Sequence, residues 1–169
     1  LLKTKNNKYI LTIFEKRVAN KDVPFFMKLM DLLNSKKINC PKPIKNLEDE
    51  YLIKIKDKLA CIVTFLDGKD KKVLTTNNCY QVGMIIGKMH KITNKFKIKR
   101  ENSMGMKNMP KLLKSINFKK IKFAKNIKQN LEKTQIEINK KWPANLPQGI
   151  IHGDLFIDNI FFKKNKISG

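Results

Sequence analysis

The sequence predicts an α+β fold in two lobes, and three observations predict it. Strand-like apolar runs crowd the first third, at Tyr9–Phe14, Tyr51–Ile55 and Leu59–Leu66. Apolar residues at helical spacing dominate the rest of the chain. Asp67-Gly68 interrupts the chain between the two, and a passage from sheet to helices is an α+β pattern. The first lobe is set at residues 1–66 and the second at residues 67–169.

Each element has a local cause. Tyr9–Phe14 is apolar and rich in β-formers, hence a strand. Asp22-Val23-Pro24 starts a helix, with Asp22 as cap and Pro24 in the first turn. Phe25, Phe26, Leu29, Leu32 and Leu33 supply its buried stripe, which fades near Asn34-Ser35. Cys40-Pro41-Lys42-Pro43 is an extended connector, because residues before Pro avoid the α region. The next two strands meet at a turn around Asp57-Lys58. Thr75 or Thr76 caps the following helix, which buries Val82, Ile85, Ile86 and Met89. Gly83 and Gly87 on it permit close packing against a neighbour. Residues 91–108 read as a loop. Pro110 to Lys141 is helical, broken near Asn117, with Ile121, Ile127, Leu131 and Ile138 on its apolar side. Trp142-Pro143 ends it, with Trp142 as a packing anchor. Ile150-Ile151 and Ile160–Phe162 read as short strands.

Composition narrows the class. The chain has 169 residues, 41% hydrophobic, which is enough apolar material for a core. No apolar run approaches the roughly 20 residues a membrane helix needs. Lys3-Thr4-Lys5-Asn6-Asn7-Lys8 directly after Leu1-Leu2 is not the apolar stretch of a signal peptide. Cys40, Cys61 and Cys79 lie far apart and form no C-x-x-C pair, so neither a disulfide framework nor a zinc site is expected, and a cytoplasmic home is. The formal charge is +23, yet 35 of the 37 basic residues are Lys. Base reading and bidentate phosphate clamps favour Arg. Lys, Ile and Asn together make 74 residues, all drawn from A/T-rich codons. The charge therefore reads mainly as genome composition on solvated faces, and a basic nucleic-acid-binding module is the lesser reading.

The chemistry-bearing stretch is Ile150–Phe162, where two apolar segments bracket a polar loop. It holds His152, Asp154, Asp158 and Asn159 in the spacing H-x-D-x4-N. That spacing is that of the kinase catalytic loop, in which an Asp takes the acceptor's hydroxyl proton and an Asn five residues on binds magnesium. Magnesium takes hard oxygen ligands, which these side chains supply. Asp and Asn also favour plain turns, so part of the signal comes from the flanking apolar segments. A His at such a place more often braces the backbone than moves protons. Asp158 either holds the loop or touches substrate.

The loop I-I-H-G-D-L-F-I-D-N-I-F-F resembles the Brenner motif of the aminoglycoside phosphotransferase and choline kinase-like superfamily. Y-I-L-T-I-F-E-K-R at Tyr9–Arg17, D-V-P-F-F-M-K-L-M at Asp22–Met30 and L-P-Q-G-I-I-H-G-D-L-F at Leu146–Phe156 resemble its bacterial homoserine kinase branch. V-G-M-I-I-G-K-M-H at Val82–His90 resembles a helix of the broader superfamily. The resemblance spans most of the chain. It implies a bilobal protein kinase-like fold, here partial, with ATP and Mg2+ between the lobes. It implies phosphate transfer to the side-chain hydroxyl of L-homoserine, a step of threonine biosynthesis. It places Asp154 as base with His152 beside it, Asn159 as metal ligand, and the backbone of Thr64, Phe65 and Leu66 against adenine. A small-molecule substrate is the expected partner, with no specific nucleic acid and no membrane; oligomeric state stays open. Another small alcohol, choline-like or an aminoglycoside, is the alternative acceptor.

The chain departs from the superfamily pattern in four places. Thr12 stands where a cation usually holds the ATP phosphates, so Lys16 or Arg17 is the substitute. No Glu is evident on the first helix, Asp22 being the nearest acid. The phosphate-covering loop would precede Leu1, and the second magnesium Asp would follow Gly169. The chain is accordingly expected to be a piece of a longer protein, inactive alone.

Overall fold

In the computed structural model, residues 1–15, 18–122 and 124–169 are described. The N-terminal strands are β1 (Leu2–Lys3) and β2 (Lys8–Ile13), then β3 (Pro43–Ile44), β4 (Ile53–Ile55) and β5 (Lys58–Thr64). All pairings are antiparallel, in the order β1-β2-β5-β3, with β4 also on β5. β5 is central because its sequence is the most continuously apolar; Ala60, Cys61 and Val63 are buried. β2 pairs with it from Tyr9↔Thr64 to Ile13↔Ala60. β4 takes the first half of its other edge, from Ile53↔Ala60 to Ile55↔Lys58. β3 takes the second half, at Pro43↔Val63 and Ile44↔Ile62.

The β4–β5 turn is Lys56-Asp57, one residue earlier than the sequence indicates. Both have positive φ, 45° and 63°, as a two-residue turn matched to strand twist requires. The first hairpin and β3 are unforeseen. β1 is two residues of Leu-Lys, too short for any periodicity to show. Pro43 lacks an N–H, and an edge strand tolerates that.

Helix α1 (Val23–Ser35) lies on this sheet. Val23, Met27, Cys61 and Val63 form the buried cluster, with Ile10, Phe14, Phe26 and Met30 packed round it. Leu33 is buried as expected, but Phe25, Phe26 and Leu29 are only half-buried. Phe25 instead meets Phe26 and Phe96 edge-on, at 5.6 and 5.7 Å between ring centres. Asp22 does not cap α1 through its side chain. Its carboxylate accepts from Arg100 Nε at 2.9 Å. A guanidinium offers a charged donor, which an N-terminal amide does not.

Helix α2 (Thr76–Thr93) begins on a full capping box, with Thr75 as cap and Asn78 answering it. Thr75→Ala removes the hydroxyl that accepts from the Asn78 N–H at 3.2 Å. We expect this to cost about 1 kcal/mol, read by urea unfolding. Gly83 and Gly87 face open space rather than a close neighbour. The fold ends on a hairpin of β6 (Phe162–Lys163) and β7 (Lys166–Ile167), turned at Lys164-Asn165. Residues 150–151 are not a strand.

The chain divides into two compact units. Residues 1–100 with 149–169 make one, which holds both sheets, α1 and α2, and residues 101–148 make the other. The second consists of α3 (Met109–Ser115) and α4 (Ala124–Lys141) with short 3-10 turns. Asn117 interrupts the helix as expected, its side chain accepting from Lys119 N–H. Ile121, Ile127, Leu131 and Ile138 stay exposed, as does Trp142, which corrects the buried stripe and the anchor read from the sequence. Helical periodicity identifies an apolar face and says nothing of what covers it. No helix among the described residues is long and apolar enough to cross a membrane.

Candidate active site

The loop 150–162 belongs to the first compact unit. Gly153, between His152 and Asp154, has φ +77°, a conformation a side chain resists, and it turns the chain sharply there. A 3-10 turn over Ile157–Asn159 comes next, closed by Asn159 N–H on the Phe156 carbonyl at 3.0 Å. Ile160 and Phe162 are buried and anchor the loop's exit.

These two bends bring Asn159 back to Asp154. The Asn159 amide Nδ2 donates to the Asp154 main-chain carbonyl at 2.8 Å and lies 3.5 Å from its carboxylate Oδ2. A main-chain carbonyl only accepts, so the amide nitrogen must face it and the amide oxygen is turned elsewhere. The five-residue spacing therefore has a geometric meaning. It lets one carboxylate and one amide oxygen share a small exposed loop.

His152 and Asp158 are exposed, and neither side chain is hydrogen-bonded among the described residues. The bracing expected of His152, and the loop-holding that is one of the two roles open to Asp158, are not made among the described residues. Asn159 performs that bracing instead.

At the end of β5, the Thr64 N–H donates to Lys42 O at 2.9 Å, and the Phe65 N–H donates to Lys8 O at 3.1 Å. The Thr64 hydroxyl accepts from Lys42 N–H at 2.9 Å. Of the backbone groups expected against adenine, the N–H groups of Thr64 and Phe65 are thus committed to the sheet. The Leu66 N–H has no backbone partner among the described residues. The Leu66 side chain lies against Gly169, whose carbonyl accepts from Phe161 N–H at 2.7 Å. The strand end and the loop exit are therefore neighbours.

Lys16 and Arg17 lie outside the described residues. Glu15, just before them, is paired with Lys58 at 2.5 Å, and that ammonium holds its carboxyl below the usual range. Thr12 is half-buried in β2 opposite Cys61. Burial pushes the Cys40 thiol up to about 11, so it is no nucleophile at neutral pH. Among the described residues no three His, Cys, Asp or Glu side chains are grouped to hold a metal ion.

The chain is 34% identical over 169 residues to the homoserine kinase of Chelativorans sp. (strain BNC1), covering 100% of the chain and 52% of that protein. It is 36% identical over 171 residues to the homoserine kinase of Rhodopseudomonas palustris (strain ATCC BAA-98 / CGA009), again 52% of its length. The chain thus spans about half the length of the curated relatives it matches. Its fold resembles that of amicoumacin kinase hAmiN, solved with AMP-PNP, Ca2+ and Ami, at TM-score 0.72 and 18% identity over 96% of this chain and 51% of that one. Spectinomycin phosphotransferase APH(9)-Ia, solved with ADP and spectinomycin, matches at TM-score 0.60 and 15% identity over 98% and 56%. These likenesses agree with a partial kinase-like α+β fold. The family model that describes this architecture matches residues 1–169, the whole of the sequence, and the chain belongs to the phosphotransferase enzyme family.

Proposed function

We propose that this chain is the nucleotide-binding and catalytic-loop part of an ATP-dependent small-molecule kinase. Its acceptor is the side-chain hydroxyl of L-homoserine. The observation that carries the reading is the Asn159 amide on the Asp154 carbonyl at 2.8 Å. That bond fixes the main chain that bears the Asp154 carboxylate.

Asp154 orients the acceptor hydroxyl and receives its proton; His152 borders the same site. The Leu66 N–H, with the carbonyls of Thr64 and Phe65, meets adenine, since the other two N–H groups are already used. Lys16 balances phosphate charge. The amide oxygen of Asn159 fits magnesium, being a hard donor left free by its own Nδ2 bond. It is one member of a ligand set completed outside these residues. Magnesium would neutralise charge on the phosphates. Residues 1–66 act as the nucleotide lobe and 67–169 as the acceptor lobe, and the 169 residues alone do not turn over.

An ADP-release assay on the complete protein tests the acceptor. L-Homoserine should stimulate release, with choline and an aminoglycoside at background. Stimulation by either of those, with homoserine at background, would reassign the acceptor. The homoserine kinases among the relatives favour the first result.

A further inference from the structure

Among the described residues two buried polar side chains, Asn78 and Thr93, lie outside the catalytic loop, both on α2. Asn78, in the first turn of α2, is 1% exposed. Its Oδ1 accepts from Thr75 N–H at 3.2 Å, Thr75 Oγ1 at 2.9 Å and Lys71 Nζ at 3.1 Å. A cap alone needs only the Thr75 contacts. Lys71 extends the group to the hairpin after the catalytic loop, donating to Asn165 Oδ1 at 2.6 Å and passing 5.1 Å over the Phe162 ring. Asn78 Nδ2 reaches the Asn165 carbonyl at 3.4 Å.

One turn further along α2, Gln81 grips both sides of β7's start. Its Nε2 donates to the Asn165 carbonyl at 3.0 Å, and its Oε1 accepts from Ile167 N–H at 3.2 Å. A side-chain amide so placed copies a peptide group pairing with a strand edge. The hairpin turn has positive φ at Lys164 and Asn165, 47° and 62°, so the carbonyl they present is rigidly aimed. On the opposite side, Lys69 and Phe162 exchange main-chain bonds at 3.1 and 2.8 Å. Phe162 is three residues from Asn159. The hairpin is therefore clamped by α2 at its turn and by Lys69 at its base.

We propose that Lys71, Asn78 and Gln81 are positioning residues. They fix the 162–167 hairpin, and through buried Phe162 they fix where Asn159 meets Asp154. This rests on the phosphotransferase reading for its catalytic consequence, but not for its structural one. A small displacement of a reacting group costs much rate, up to about a hundredfold for about 1 Å.

The test uses the complete protein and the variants Lys71→Met, Gln81→Leu and Lys71→Arg. Met keeps the stem over Phe162 and removes the donors, and Arg restores donors. Amide hydrogen exchange over residues 157–167 should accelerate about tenfold in the first two, with β2 and β5 unchanged. The same two should lower kcat about tenfold to a hundredfold while the KM for ATP moves little. Lys71→Arg should recover most of both effects. Unchanged exchange over 157–167 overturns the proposal. Equal acceleration across β2 and β5 also overturns it, by making the network a general stabiliser. If exchange responds locally but no acceptor is phosphorylated by the parent protein, the functional reading fails and the clamp stands.

Discussion

Asp154→Asn in the complete protein should lower kcat by about three orders of magnitude, within the range expected for losing a general base. Affinity for ADP should change little. The substitution keeps size and polarity and removes proton-accepting ability. The Asp154 main-chain carbonyl, held by Asn159 Nδ2 at 2.8 Å, is untouched by it. Loop geometry should therefore survive, and the loss should fall on chemistry rather than on nucleotide binding. Steady-state kinetics with a nucleotide titration separate the two. Near-normal turnover would remove Asp154 from the base role.

Gly68→Ala should be the most damaging small substitution outside the loop. Gly68 has φ +136°, where an L side chain is strained by about 1–3 kcal/mol. A Cβ there would run into the Ser168 hydroxyl and meet Phe161 Cβ and the Phe162 carbonyl, each at 3.1 Å. The hydroxyl can swing aside. Phe161 and Phe162 cannot, because their main chains are bonded to Gly169 and Lys69. Overpacking adds about 1–3 kcal/mol, so the total loss should be about 2–6 kcal/mol. Urea unfolding reads it directly. A change under about 0.5 kcal/mol, the level of a neutral surface substitution, would contradict this packing.

What the sequence revealed and what it concealed divide by range. The H-x-D-x4-N spacing pointed to Asp154 and Asn159 because five residues suffice for the two bends that join them. The start of α2 is legible in the Thr75-Thr76 pair, and the structure selects Thr75 through its bond from the Asn78 N–H. The strands β2 and β5 showed themselves by continuous β-branched and apolar runs. By contrast, β3, β6 and β7 are two residues each, too short for any periodicity to show; β3 exists because β5 receives it, and β6 and β7 pair with each other across their own turn. Lys71 and Asn165 are 94 positions apart, so no local pattern announces their bond. Asp22 read as a cap, and its true partner Arg100 lies 78 positions on. Val23 and Met27, not the aromatic residues beside them, are the buried side chains at the start of α1, since bulk in a sequence does not reveal which face meets the sheet.

The decisive observation is the fate of the γ-phosphate. The complete protein is incubated with γ-labelled ATP and L-homoserine, and the products are resolved by mass spectrometry. Phosphoryl transfer with Asp154 as base predicts label on the side-chain oxygen of homoserine, in amounts equal to the ADP formed, and about a thousandfold less of it in the same time from Asp154→Asn. Label recovered only as inorganic phosphate, with homoserine unmodified, would refute that transfer.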